Sequence, residues 1–186
     1  MKNLPLVLAV VLASPVAAAH EPAPPEPTAL ESFVARPTVV LDRAETVGRI
    51  ESSDATVTVA AIVASDTARP GERMQGLRFV MTNDKGADQV YLEDAYLAQL
   101  REDLAGIEGG IPELEASQAG ASVQGTGACW MPQRPMRILC PSYRVGPEGS
   151  SFGLAAYGGP RFTYPGQRPA AFAALVEQAI AQLDAP

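Results

Sequence analysis

Histidine is all but missing from this chain: the single one, His20, stands in a proline-rich stretch near the N-terminus. A Ser-His-Asp or Cys-His nucleophile needs an imidazole to take its proton, so neither can be built in the folded region. Two cysteines without histidine beside them supply too few ligands for four-coordinate zinc. GxxxxGK[ST] and GxGxxG are both absent, which removes the support for nucleotide-dependent chemistry. Lysine is nearly absent too, with Lys2 and Lys85 the only two. A Ser-Lys dyad needs a desolvated lysine, and Lys85 falls in the polar turn Asn83–Gly86. Long apolar runs are missing as well: Val57–Ala64 has the length of a strand, not of a bilayer span. These absences predict no cofactor, no metal centre and no catalytic residue set.

The N-terminal nineteen residues, MKNLPLVLAVVLASPVAAA, have the layout of a secretory signal. Lys2 gives the positive start, Leu4–Ala13 the short apolar run, and Ala17-Ala18-Ala19 a small-x-small cleavage site. The reading is a periplasmic or secreted protein cleaved near Ala19. Residues 20–27, His20 to Pro27, form a proline-rich leader with polyproline character. His20 at a new N-terminus would offer copper an amine and one imidazole, with no second imidazole to complete a site. The globular domain is expected over 28–186, with no transmembrane segment once the signal is gone. Losing Lys2 leaves 13 basic against 21 acidic side chains, a net charge of −8. Such a surface repels phosphate backbones and argues against nucleic acid and anionic lipid.

Periodicity predicts an α+β fold: a mostly antiparallel β-sheet with two amphipathic helices packed on it. Tyr96, Leu97, Leu100, Leu104 and Ile107 form one helical stripe, with Asp94 as N-cap and Gly106 or Gly109-Gly110 as the stop. Pro169 opens a second helix whose face carries Phe172, Val176, Ile180 and Leu183. Thr38–Leu41 and Val47–Glu51 read as short strands and Ala55–Ser65 as a longer one. Leu77–Thr82 and Asp88–Glu93 flank Asn83–Gly86 as a hairpin. Strands are also expected over 122–131, 136–145, 152–157 and 161–164, and Ile107–Gly127 as a polar connection. The order suggests two loosely similar halves of strands, hairpin and helix.

The segment CWMPQRPMRILC holds both cysteines, Cys129 and Cys140, and the only tryptophan, Trp130. Eleven positions separate the thiols, which excludes a CxxC redox motif and favours a disulfide in an oxidising compartment. Copper(I) on Cys129, Cys140, Met131 and Met136 is the sharper alternative, and oxidation would remove two of its four ligands. Pairing 129 with 140 continues a hairpin ladder in which 131 opposes 138. Trp130, Arg134, Arg137, Arg144, Tyr157, Arg161 and Tyr164 form a candidate interaction patch, since Tyr, Trp and Arg carry most binding energy at interfaces. Phe152 and Phe162, from the same region, read as core.

These features point to an exported, disulfide-stapled, non-catalytic binding protein for an envelope protein or a small or glycan ligand. The alternatives are an accessory or structural subunit of an envelope assembly, and a histidine-free carboxylate-dependent hydrolase. For the hydrolase the carboxylates are Glu93-Asp94, Glu102-Asp103 and the Glu108, Glu113, Glu115 group, read here as a cap and solvated faces. Reduction of the protein, or the double Cys129→Ser, Cys140→Ser variant, is expected to lower stability by about 3 kcal/mol. A melting temperature unchanged by reducing agent would contradict the staple.

Overall fold

Leu77, Phe79 and Met81 are fully buried while Arg78, Val80 and Thr82 between them are not, so one face of this strand turns inward. The computed structural model describes residues 25–117, 122–124 and 138–185. Their order is α1 (Ala29–Val34), β1 (Val39–Glu51), β2 (Ala55–Asp66), β3 (Arg73–Asn83), β4 (Gly86–Leu92), α2 (Asp94–Ala116), β5 (Ser122–Gln124), β6 (Leu139–Gly146), β7 (Gly149–Ala156), β8 (Arg161–Pro165) and α3 (Pro169–Leu183). They build two antiparallel four-stranded sheets, β1-β2-β3-β4 and β5-β6-β7-β8, each followed by a long helix. The fold is therefore α+β, as the periodicity implied.

The hairpins follow from their turns. Asn83 pairs with Gly86 across Asp84-Lys85, and Gly146 pairs with Gly149 across Pro147-Glu148. In both, the closing glycine takes a positive φ, +150° at Gly86 and +112° at Gly149, which a side chain would resist. β1 is one strand of 13 residues rather than the two short ones expected. Register shifts between Leu41 and Arg43 and between Thr46 and Gly48 break the alternation that would have revealed it. These bulges, with Asp42, Arg43, Glu45 and Arg49 along the strand, also blunt an exposed sheet edge.

The helices are exchanged between the sheets. α2 follows the first sheet but packs mainly on β5 and β6 of the second, and α3 follows the second sheet but packs on β1, β2 and β3 of the first. One apolar core results, with Val57, Val59, Leu77 and Phe79 from the first sheet and Tyr143, Phe152, Leu154 and Tyr164 from the second. Phe172 on α3 joins them. Its ring lies 5.8 Å from Phe79 and 5.4 Å from Phe152, and Phe152 lies 5.9 Å from Tyr164. Tilted rings at these separations add to simple burial.

α2 runs nine residues past Ile107, through Gly109, Gly110 and Pro112, where a polar connection was expected. Ile107 and Ile111 continue the buried stripe of Leu97, Leu100 and Leu104. Burying those two isoleucines, about 1.5–3 kcal/mol each, is of the size needed to offset the poor helix propensity of the glycines and proline. The N-cap is Glu93, with Asp94 in the first turn, one residue from the expected position. No helix among the described residues is long and apolar enough to cross a membrane.

A smaller core closes the outer face of the first sheet. Residues 60–64 of β2 are buried on both sides: Ala61 and Val63 face α3, while Ala60, Ile62 and Ala64 face the other way, where α1 lies. α1, which periodicity did not reveal, sets fully buried Leu30 and Phe33 on that side. Thr28 pins its start, accepting from Glu31 N at 3.1 Å and donating to Tyr91 O at 2.7 Å. Beyond its end, Arg36 stacks over Phe33 and reaches Glu72 at 2.8 Å and buried Asp66 at 3.7 Å. Hydrogen bonding by Thr38, with a smaller contribution from Arg36, holds Asp66 below the usual carboxylate range despite its burial. Gly76 lies beneath this helix. A Cβ there would meet the Leu92 carbonyl oxygen and come within 2.7 Å of Leu30 Cδ2. Gly76→Ala is expected to cost about 1–3 kcal/mol in urea unfolding; wild-type stability would refute this close packing.

Candidate functional site

The carboxylates that sequence offered for catalysis are largely occupied in building the fold. Glu93 accepts from Ala29 N at 3.1 Å and Leu30 N at 3.3 Å, so it caps α1 from the start of α2. Glu108 Oε2 accepts from Ala170 N at 3.1 Å in the first turn of α3. Glu115 accepts from Tyr143 Oη at 3.2 Å and pairs with Arg168. Glu102 is exposed, but Asp103 is buried rather than solvated as its position on the polar flank implied. Negative charge at a helix N-terminus is favourable, and Glu93 and Glu108 have that structural work.

The patch residues divide. Trp130, Arg134 and Arg137 lie outside the described residues, as does Cys129 of the expected disulfide. Tyr164 is fully buried beside Phe152, so it belongs to the core and not to a surface patch. Its phenol has no hydrogen-bond partner among the described residues, and burial pushes it well above the ordinary tyrosine value. The cause is register: Tyr143, Phe152 and Tyr164 lie opposite one another across β6, β7 and β8, on the side facing the helices. Phe152 and Phe162 join the core as expected. Tyr157 is half-buried at the end of β7, packed partly against the core.

Arg144 and Arg161 do share a face. Cys140, Ala155 and Arg161 form one cross-strand row, Ser142, Gly153 and Thr163 the next, and Arg144, Ser151 and Pro165 the third. This is the face of the second sheet away from the core, and both arginines are exposed on it. Neither has a hydrogen bond or ion pair with a described residue. The surface between them is small and hydroxylated. Gly153 lies under the Arg161 stem, with Cδ 3.7 Å from where a Cβ would stand and Ser142 Oγ at 2.6 Å.

At the lower edge of this face Arg161 and Thr163 meet the first sheet. With Ser53 and Asp54 from the β1–β2 turn, and Asn83, Asp84 and Lys85 from the β3–β4 turn, they line a cleft of about 480 Å³. Both turns are fixed by their own side chains. Ser52 Oγ accepts from Asp54 N at 3.3 Å and Ala55 N at 3.2 Å, and Asn83 Oδ1 accepts from Lys85 N at 2.9 Å. Sequence reasoning missed this grouping. It set Lys85 aside as a base and joined Arg161 to the arginines nearest in sequence, whereas the cleft unites residues from three separate stretches.

Cys140 sits half-buried on β6, and no free cysteine occurs among the described residues. The observed register pairs Ser122 with Arg144, three residues away from the ladder that a 129–140 pairing extends. Cys129 and the remainder of that expected ladder, through Arg137, lie outside the described residues. No protein family model, curated protein or solved structure matches this chain.

Proposed function

We propose that this chain is an exported binding protein, stapled by a Cys129–Cys140 disulfide, whose recognition surface is the outer face of the second sheet around Arg144 and Arg161. One observation carries the reading: in a protein of net negative charge, two exposed arginines on one sheet face have no ion pair among the described residues. An exposed guanidinium without a carboxylate partner is free to take a carboxylate or another acceptor from outside, often through two parallel hydrogen bonds. The lack of any histidine after His20 and the structural employment of Glu93, Glu108 and Glu115 favour binding over hydrolysis. Export is supported by the signal-like first nineteen residues, and the disulfide by two cysteines eleven positions apart with no other thiol in the sequence to compete.

Titration calorimetry against envelope glycans, carboxylated small molecules and short peptides is the test. The Arg144→Glu, Arg161→Glu variant is expected to bind the wild-type ligand at least about tenfold more weakly, near 1.4 kcal/mol, with unchanged circular dichroism and melting temperature. Equal binding by the charge-reversed variant, or a wild-type protein that binds nothing in such a panel, would refute this role.

A further inference from the structure

The cleft beneath Arg161 holds four charges that neutralise one another in number but not in contact. Lys85 and Arg161 are cationic, Asp54 and Asp84 anionic, and all four are exposed. None of the four makes an ion pair with a described residue; the only side-chain bond among them is Ser53 Oγ to Asp54 Oδ1. Opposite charges on freely moving surface chains commonly drift together. Here short turns closed by Ser52 and Asn83 carry three of them and a β-strand carries the fourth, so their origins are fixed. Ser53, Asn83 and Thr163 add hydroxyl and amide groups around them.

We infer that this cleft binds a small zwitterion, a free amino acid or a short peptide with both termini open. Its carboxylate is taken by the Arg161 fork with Lys85 beside it, and its ammonium by Asp54 and Asp84. Size agrees, since about 480 Å³ lies within the range of small-molecule sites, roughly 300–1,000 Å³. A neutral lining of separated charges favours a ligand carrying both signs over a purely anionic one, which would meet two carboxylates, and over a cation, which would meet two basic groups. The inference rests on the recognition role proposed for Arg161 and names the ligand class for that end of the face.

The test is a nuclear magnetic resonance titration of the isotope-labelled full-length protein with three probes: L-alanyl-L-alanine, its N-acetyl derivative and its C-terminal amide. Saturable shifts are expected for the free dipeptide at the amides of Ser53, Lys85 and Thr163, with a dissociation constant in the millimolar range. Each blocked form should bind at least about tenfold more weakly, the loss of one charge-assisted contact. Arg161→Gln should abolish discrimination against the amide, and Asp54→Asn discrimination against the acetylated form. No saturable shift, or equal binding of all three probes, would overturn the inference. Retention of the acetylated probe with rejection of the amide would overturn the ammonium half while leaving the arginine-centred role standing. Loss of dipeptide binding in Arg144→Glu, with Arg161→Gln and Asp54→Asn unaffected, would place the ligand elsewhere on the face and refute the cleft.

Discussion

Phe172 is the contact on which the architecture turns. It projects from α3, a helix that follows the second sheet in sequence yet lies across the first, and its ring touches Phe79 of one sheet and Phe152 of the other. α2 makes the opposite crossing, from the first sheet to β5 and β6. A sheet with an apolar inner face must cover it, and here each half supplies the cover for its neighbour. Neither half alone buries its own face, so the two similar strand-and-helix units act as one.

The negative charge of the protein serves this exchange. Glu93 caps α1, Glu108 caps α3 from α2, and Glu115 holds Tyr143 and Arg168 together. Arg101 pairs with Glu177 between the two long helices, and Arg43 on β1 donates to the Gln182 carbonyl at the end of α3 at 2.8 Å. Polar groups at the helix ends are thus satisfied by residues distant in sequence. Among the described residues, Arg144 on the outer sheet face and Arg161, Lys85 and Asp84 around the cleft are exposed charges without an ion pair.

Much of this was legible locally and much was not. The stripe of Phe172, Val176, Ile180 and Leu183 gives α3 with its observed start at Pro169, because helical period and a proline at the first position agree. The β3–β4 hairpin is equally plain, since alternation and a glycine-closed turn agree. α1 escaped because six residues with two apolar anchors make no period. The second half of α2 escaped because Gly106 or Gly109-Gly110 reads as a stop, while the burial of Ile107 and Ile111 that carries the helix past them is tertiary. Tyr164 was assigned to the surface because an aromatic residue in a strand fits either face until register fixes it. The cleft was invisible for a related reason. Sequence proximity grouped Arg161 with Arg144, and only strand packing brings it to Asp54 and Lys85.

Exchange of helices makes a definite demand on unfolding. Differential scanning calorimetry of the oxidised protein tests it most directly, because it reports how many units melt and how cooperatively. A single transition is expected, with calorimetric and van't Hoff enthalpies equal, and Phe172→Ala should move that whole transition down by about 3–5 kcal/mol. Two separable transitions, or a Phe172→Ala variant in which one half keeps its wild-type melting temperature, would show that the sheets fold independently and would contradict the account.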